Sequence, residues 1–222
     1  MKESIARILR LDQVTHDVIR FTVEKPVGYA FTAGLATEVS VNKPKLKIKK
    51  RPFTFTNLND NNYIEFTIKI YAEHKGVTLA LSLLKPGDEL ILRDVWGAIH
   101  YQGPGTFIAG GAGITPFIAI FRQLNKEDLV AGNNLIYSNK TVNDIILKDE
   151  FTKLLGNNFT NTLTREKKRG YHYGRIDQAF LKKKIIDFKQ HFYICGPGSF
   201  VQDVSKHLLA FGASPSTLVI EK

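Results

Sequence analysis

Two different hydrophobic patterns divide the chain. In the first hundred residues apolar and polar positions alternate, as where Ile19, Phe21 and Val23 are separated by polar side chains. Alternation with a period of two is typical of β-strands that bury one face. It predicts strands at 4–11, 19–24, 37–41, 53–57, 63–70 and 89–93, with one short helix at 77–84. Several short strands at this spacing indicate an antiparallel barrel or sandwich.

The pattern changes after about Gly103. Continuous apolar runs at 106–109, 135–137, 159–163, 192–195 and 217–220 now alternate with helical stretches at 116–124, 149–155, 178–188 and 199–211. Strand–helix alternation with fully apolar strands favours a parallel sheet of five strands covered by helices, an α/β domain. The glycine-rich segment 102–105 separates the two patterns. We therefore predict two domains, residues 1–102 and residues 103–222.

Composition narrows the class of protein. The chain has 222 residues, of which 43% are hydrophobic and 23% charged, as expected for a folded globular protein. Its single cysteine excludes a disulfide framework and a cysteine-held cluster, and its six histidines lack metal-ligand spacing, so we predict no metal. No apolar run approaches the length of a membrane span, and no signal peptide is recognisable. We expect a cytoplasmic protein without a membrane segment.

Positive charge is concentrated in short segments. The formal net charge is +10, and lysines crowd residues 43–51, 165–169 and 182–184. Such clusters attract phosphorylated cofactors, acidic proteins or nucleic acid, or simply keep a surface solvated. The sequence has no nucleic-acid-binding motif, so we expect no nucleic-acid partner.

A glycine-rich turn follows the first strand of the second domain. The turn contains Gly110, Gly111 and Gly113, then Ile114, with Thr115 at a predicted helix N-cap and Pro116 at the first helical position. Glycines let the backbone approach a phosphate closely, and a helix N-terminus offers N–H groups to an anion. The turn lacks the complete G-x-G-x-x-G pattern, and an ordinary tight turn is the alternative. We favour nucleotide binding.

Three further segments suggest binding. A second predicted strand also ends before a helix, at Cys195, Gly196 and Pro197. Here we favour packing or the close approach of a ligand, and we do not favour a covalent reaction of the cysteine. Arg51-Pro52-Phe53-Thr54 follows the lysine-rich loop. Gly76-Val77-Thr78 opens the short helix, which is a candidate anion site.

These four segments, taken in order, resemble the ferredoxin–NADP reductase superfamily over almost the whole chain. The resemblance implies an antiparallel flavin-binding β-barrel followed by a Rossmann-like α/β nucleotide domain. It implies that Arg51 pairs with flavin phosphates, that Phe53 lies against the isoalloxazine ring and that Thr54 hydrogen-bonds near its hydride-accepting nitrogen. Phe53 replaces the usual tyrosine of the motif and so cannot donate a hydrogen bond. The remaining flavin residues implied are Pro52, Lys69, Ile70, Tyr71, Gly76, Val77 and Thr78.

The same resemblance assigns residues to the pyridine nucleotide. The turn from Gly110 to Pro116 would bind the pyrophosphate, and Cys195 to Pro197 would place the nicotinamide, with Cys195 beside the reacting centre. Thr164 and Arg165 resemble the segment that receives the 2′-phosphate of NADPH, with Tyr173 nearby; a basic surface loop is the alternative. Glu221 resembles an acidic residue close to the flavin.

The resemblance implies an FAD-dependent NAD(P)H oxidoreductase. We expect FAD with FMN as the alternative, and NADPH with NADH as the alternative. We expect a monomer that passes electrons to an acidic carrier such as flavodoxin or ferredoxin. An alternative enzymatic function is the reduction of free flavin or ferric chelates. An alternative without catalysis is a redox-sensing regulatory subunit.

Overall fold

The chain forms two compact units. A computed structural model describes residues 3–74, 76–97 and 99–220. The first unit comprises Met1–His100 with Thr115–Gln123, and the second comprises Tyr101–Ile114 with Leu124–Lys222. Each unit contains one six-stranded sheet.

The sheet of the first unit is antiparallel. Its strands run in the spatial order β4-β3-β6-β1-β2-β5. Beyond the end of β4, Phe55 pairs with Phe66 of β5, so the two outer strands meet and the sheet closes into a barrel. The strands are β1 (Ser4–Thr15), β2 (Val18–Glu24), β3 (Ala36–Val41), β4 (Arg51–Thr54), β5 (Tyr63–Lys69) and β6 (Glu89–Trp96).

The alternation in the sequence produces the barrel core. Phe21, Val23, Ile64 and Phe66 are fully buried in one apolar cluster, as one-faced burial of alternating residues requires. Helix α1 (Val77–Ser82) contributes Val77 to that cluster and ends two residues earlier than predicted. Strand β1 is longer than predicted because it pairs with β2 as far as Thr15, where the polar sequence gives no strand signal.

The sheet of the second unit is entirely parallel, as the strand–helix alternation predicted. The spatial order of its strands is β10-β9-β8-β7-β11-β12. The strands are β7 (Gly105–Gly110), β8 (Asn134–Asn139), β9 (Phe159–Leu163), β10 (His172–Tyr173), β11 (His191–Cys195) and β12 (Leu218–Ile220). The helices that follow α1 are α2 (Thr115–Lys126), α3 (Lys148–Leu155), α4 (Gln178–Lys184) and α5 (Gly198–Ala210).

Two elements of this unit differ from the sequence prediction. Strand β10 makes a sixth strand from two exposed residues that pair with β9 and carry no apolar pattern of their own. Helix α4 ends at Lys184, four residues early, because Ile185 adopts an extended conformation with φ −112° and ψ 123°. For β10 the difference arises because pairing with a neighbouring strand overrides a weak local signal.

The segment before β7 is anchored to the second unit. The buried hydroxyl of Tyr193 accepts hydrogen bonds from the N–H groups of Gln102 (2.8 Å) and Gly103 (3.1 Å), and it donates to the Gly103 carbonyl (2.8 Å). Burial raises the pKa of Tyr193, and the hydrogen bonds from Gln102 and Gly103 oppose that rise. The glycine-rich segment that the sequence marked as a hinge is therefore tied to β11.

A buried ion pair lies in the first unit. The Glu65 carboxylate, 6% exposed, accepts hydrogen bonds from the Thr56 hydroxyl (2.8 Å) and from the Arg122 guanidinium (2.7 Å). Arg122 also donates to the Thr56 carbonyl at 2.7 Å. A charge this deeply buried needs such partners, because water no longer solvates it.

Candidate functional site

Two glycine-containing turns meet at the reversal of strand order in the parallel sheet. The chain adds β8, β9 and β10 in succession on one side of β7 and then returns to place β11 on the other side, so the strand order reverses at β7. Ala109 of β7 is paired with Cys195 of β11, and both strands end within one residue of that pair. In open α/β sheets, ligands bind at this place, where turns at the carboxyl ends of neighbouring strands separate.

The glycines allow the two turns to touch. A Cβ on Gly113 would lie 2.3 Å from the Cys195 carbonyl oxygen and 2.5 Å from the Gly196 nitrogen. A Cβ on Gly110 would lie 3.1 Å from the Phe200 ring, and one on Gly196 would lie 2.8 Å from it. Close packing of backbone against backbone therefore explains Gly113. The packing of Phe200, an aromatic residue that the sequence analysis missed, explains Gly110 and Gly196.

Gly111 has a different role from its neighbours. Its φ is +54°, in the left-handed region that favours glycine, and no atom lies within 4 Å of the Cβ it lacks. The backbone at Gly111 is therefore bare on that side. This is the glycine of the turn at which a ligand can approach the chain most closely.

The helix after the first turn begins differently from the prediction. Gly111–Ile114 forms a turn of 3₁₀-helix, and α2 begins at Thr115, so Pro116 is its second residue. Ile114 is fully buried, so only its backbone can contact a ligand. Pro116 is buried as well and has no N–H, so it cannot donate a hydrogen bond to an anion. A 3₁₀ turn leading into a 12-residue helix still presents N–H groups and positive dipole at its start.

Cys195, the single cysteine of the chain, ends β11 and is buried, with 5% of its surface exposed. Its carbonyl lies against Gly113, and Pro197 precedes helix α5 as the N-cap residue. The packing role that the sequence favoured is therefore visible at Cys195, while its role toward a ligand stays a prediction.

A basic edge follows the carboxyl ends of β8 and β9. The Arg165 N–H donates to the Lys140 carbonyl (2.9 Å), and the Thr164 N–H donates to the Asn139 carbonyl (2.9 Å), so the two strand ends are joined. Arg165 and Lys140 are exposed, and neither side chain forms an ion pair with the described residues. Tyr173 is half exposed, with the Lys167 ammonium 5.0 Å from its ring centre. The arrangement presents unneutralised positive charge beside an aromatic ring.

The Arg51-Pro52-Phe53-Thr54 segment is strand β4 of the barrel. Thr54 pairs with Ala36 of β3 and is half-buried; its hydroxyl makes no hydrogen bond with any residue that the structure describes. Arg51 is exposed, and its guanidinium donates to the Lys50 carbonyl at 3.0 Å. Phe53 packs against the barrel core. The strand thus holds a spare hydroxyl, a cation and an aromatic ring within four residues, a donor set that fits a phosphorylated aromatic cofactor.

The end of β5 and the start of α1 are brought together. The Tyr71 N–H donates to the Thr78 hydroxyl at 3.4 Å, and Gly76 is the extended N-cap residue of α1. Ile70 packs against the barrel core and Tyr71 is exposed. The Lys69 ammonium pairs with Asp17 at 2.6 Å. Burial opposes ionisation of Asp17, but the hydrogen bond and charge of Lys69 outweigh it and keep the pKa of Asp17 below its usual value.

The predicted flavin residue Glu221 falls outside the residues that the structure describes.

Among the described residues, no helix combines the length and the hydrophobicity needed to cross a bilayer.

A family model matches most of the second half of the chain. Residues 107–206 match the model of the oxidoreductase NAD-binding domain family. This range begins in β7 and contains both glycine turns and the basic edge.

Curated relatives extend the similarity to most of the chain. NADH-cytochrome b5 reductase 2 of Candida glabrata is 30% identical over 216 residues, 88% of this chain and 72% of that protein. NADH-cytochrome b5 reductase 2 of Mycosarcoma maydis is 29% identical over 214 residues, 86% of this chain. The chain spans 60% of the length of the Mycosarcoma protein.

Solved structures share the fold. A ferredoxin NADP⁺ reductase from Neisseria gonorrhoeae, with bound FAD and NADP, superposes with a TM-score of 0.88 at 20% identity, covering 100% of this chain and 98% of that one. The cytochrome b5 reductase domain of Ulva prolifera nitrate reductase gives a TM-score of 0.84 at 22% identity, covering 99% and 97%. These likenesses confirm the predicted pairing of a β-barrel with an α/β domain. The chain therefore belongs to the ferredoxin–NADP reductase superfamily, the FAD-dependent NAD(P)H oxidoreductases among which the NADH-cytochrome b5 reductases are found.

Proposed function

We propose that this chain takes hydride from NADPH onto bound FAD and passes electrons to an acidic carrier protein of the flavodoxin or ferredoxin kind. The observation that carries the proposal is the meeting of the Gly110–Ile114 turn with the Cys195–Gly196 turn at the reversal of strand order. That geometry supports a dinucleotide site in the second unit. The β4 donor set supports a flavin site in the first.

The barrel residues would bind and orient FAD, whose ring supplies the hydride and electron transfer that no side chain supplies. Arg51 would hold the cofactor phosphates by charge-assisted hydrogen bonds, and Thr54 would direct its unused hydroxyl to the flavin ring. Lys69 is engaged by Asp17, so we assign the contribution of Lys69 to its backbone. A Thr54→Val variant should bind FAD and reduce it more slowly; unchanged stopped-flow reduction would remove Thr54 from the proposal.

The turns of the second unit would hold the nucleotide. Gly111 and the start of α2 would receive the pyrophosphate, while Cys195, Gly196 and Pro197 would position the nicotinamide. Holding two reactants in register is the main catalytic contribution available to these residues, because orientation alone is worth on the order of 7–11 kcal/mol in favourable model systems.

Arg165 supports the choice of NADPH. Its exposed guanidinium has no acidic partner in the described part of the chain, and its backbone N–H is bonded to the carbonyl of Lys140, a second exposed cation. A guanidinium fork matches the geometry of a 2′-phosphate. The curated cytochrome b5 reductases named above use NADH by name. The preference for NADPH therefore rests on the Arg165–Lys140 pair and needs a direct test.

Anaerobic titration of the flavin-loaded protein with each nucleotide provides that test. We expect NADPH to bleach the flavin absorbance at far lower concentration than NADH. Arg165→Ala should raise the KM for NADPH by about 10- to 100-fold, the value of a lost charge-assisted hydrogen bond, and leave the KM for NADH unchanged. Equal effects on both nucleotides would remove the phosphate assignment. Failure to bind either flavin would overturn the proposed function.

The lysine-rich loop 43–50 supports an acidic acceptor. Lys43 pairs with Asp88 (2.9 Å) and Lys50 with Glu38 (2.5 Å). Lys45, Lys47 and Lys49 are exposed and form no ion pair among the residues described. Relatives of the chain include proteins named as the electron transfer component of a toluate 1,2-dioxygenase and the reductase component of a propane 2-monooxygenase.

Charge reversal tests this surface. Replacing Lys45, Lys47 and Lys49 with Glu should slow electron transfer to a flavodoxin at low salt and weaken its salt dependence, because these charges mainly accelerate encounter. The matched control replaces Lys182, Lys183 and Lys184, three lysines of α4, with Glu. Equal slowing by both triple variants would show only a net-charge effect. Rapid turnover with free flavin or ferric chelates, and none with protein carriers, would instead favour a reductase of free flavin or ferric chelates.

A further inference from the structure

One buried tyrosine is tied directly to the open glycine of the first turn. Tyr137 lies in the middle of β8, is fully buried and pairs with Ala109 of β7. Its hydroxyl donates a hydrogen bond of 2.9 Å to the Gly111 carbonyl. The sequence analysis assigned no role to this residue, because a tyrosine in an apolar strand is expected to be part of the hydrophobic core.

The hydrogen bond acts at the point where packing constrains the turn least. Gly110 and Gly113 are wedged against Phe200 and against Cys195, so their positions are fixed by neighbouring atoms. Gly111 has open space where a side chain would be and a left-handed backbone. A glycine in such surroundings has wide conformational freedom, and the bond from Tyr137 restricts it.

The bond also sets a direction for the peptide group. In a planar trans peptide the C=O and the following N–H point in opposite directions. Fixing the Gly111 carbonyl toward β8 therefore fixes the orientation of the whole 111–112 peptide at the start of the 3₁₀ turn. At a helix start, this orientation decides whether the backbone N–H groups face an anion.

We propose that Tyr137 is a positioning residue for dinucleotide binding: it holds the Gly111 peptide in the conformation that receives the pyrophosphate. The inference rests on the proposed function, because it requires a nucleotide pyrophosphate at this turn. Tyr137 contacts the turn from strand β8, and its effect on the nucleotide would be exerted through the Gly111 peptide.

The test compares Tyr137→Phe with Tyr193→Phe in the FAD-loaded protein. Both tyrosines are fully buried and hydrogen-bonded to backbone, but the Tyr193 hydroxyl binds Gln102 and Gly103, which precede β7. Both changes therefore remove hydroxyl-to-backbone bonds, three at Tyr193 and one from Tyr137 to Gly111, at opposite ends of the sheet. The measurements are KM and kcat for NADPH and NADH, inhibition constants for ADP and for adenosine, and the midpoint of thermal unfolding.

Tyr137→Phe should raise the KM for both nucleotides and the inhibition constant of ADP about five- to tenfold, the typical value of one lost hydrogen bond. The inhibition constant of adenosine, which has no pyrophosphate, should not change, and kcat should stay within about twofold. Tyr193→Phe should lower the unfolding midpoint at least as much and leave the nucleotide constants unchanged.

Three results would overturn the inference in distinguishable ways. If Tyr137→Phe leaves the constant of ADP unchanged while the wild type binds ADP, Tyr137 has no positioning role and the proposed function stands. If both variants weaken ADP and adenosine equally, the effect is only structural. If the wild type binds neither nucleotides nor ADP, the proposed function fails together with the inference.

Discussion

Gly113→Ala offers a quantitative test of how the two turns are packed. The added methyl group would lie 2.3 Å from the Cys195 carbonyl oxygen, 2.4 Å from its carbonyl carbon and 2.5 Å from the Gly196 nitrogen. Ordinary van der Waals contact begins at 3.4 Å, so the turns would have to separate by 3.4 − 2.3 = 1.1 Å. All three obstructing atoms belong to the backbone, so rotation of a side chain cannot relieve the clash.

The cost follows from that rigidity. Overpacking a tightly packed interior costs about 1–3 kcal/mol, and the upper end applies where backbone must move. We therefore expect Gly113→Ala to lower the free energy of unfolding by about 3 kcal/mol. Because the same 1.1 Å displacement distorts the proposed nucleotide site, the KM for NADPH should rise as well.

Two other glycines provide controls within the same turns. Gly111→Ala meets no atom within 4 Å but forces a side chain onto a φ of +54°, which costs about 1–2 kcal/mol. Gly198→Ala, at the first residue of α5, meets no atom and has no such φ, so it should be neutral or stabilise the protein by about 0.5 kcal/mol.

Urea denaturation followed by circular dichroism would measure the three stabilities, and steady-state kinetics would measure the KM. The expected order of stability is Gly198→Ala, then Gly111→Ala, then Gly113→Ala. A Gly113→Ala protein as stable as Gly198→Ala would refute the close approach of the two turns.

Two further predictions concern charged groups of the first unit. Arg122→Ala should destabilise the protein by about 3 kcal/mol in urea denaturation, because the buried Glu65 carboxylate loses its nearest cation and keeps only the more distant Arg20 guanidinium, 3.9 Å away. The double variant with Glu65→Gln should recover much of the loss; a double variant no more stable than the single one would contradict this account. For Asp17, whose pKa is lowered in the folded state, the stabilising effect is complete above the unfolded-state pKa of about 4 and is lost as the pH falls through the folded-state pKa. The wild type should therefore exceed Lys69→Met by about 0.2–1 kcal/mol at pH 6, since the pair is partly exposed, and the gap should close below pH 4; a gap that persists at pH 2.5 would exclude the Lys69–Asp17 pair as its source.

Local signals were strongest where burial has a simple periodicity. Alternation through 19–23 and 63–70 correctly predicted β2 and β5, and continuous apolar runs correctly predicted the parallel strands. Elements whose stability comes from pairing were misjudged: β10 consists of two exposed residues held by β9, and β1 runs on through a polar stretch because β2 pairs with it. A strand that is stabilised by its neighbour need not carry a pattern of its own.

The candidate site shows the same division. The sequence shows glycines, a proline and an arginine at the ends of strands. They can be recognised there because each is suited to a particular local backbone conformation or supplies a local charge. The reasons differ among the glycines, however, and only the coordinates separate them: Gly113 is wedged between backbones, whereas Gly111 is open. Lys69 illustrates the reverse case, since its position in the motif suggested a ligand and its ammonium is held by Asp17.

Hydrophobic period and turn chemistry are local properties of a chain, and they predicted an antiparallel barrel followed by a parallel α/β unit. The family was implied by the resemblance of four motif segments. Which residues meet, by contrast, is a property of the folded chain. The contact of Gly113 with Cys195 joins residues 82 positions apart, and the bond from Tyr137 to Gly111 joins strand β8 to the turn after β7. Such contacts depend on strand order and register, which are set by the packing of the whole sheet and leave no mark on either segment alone.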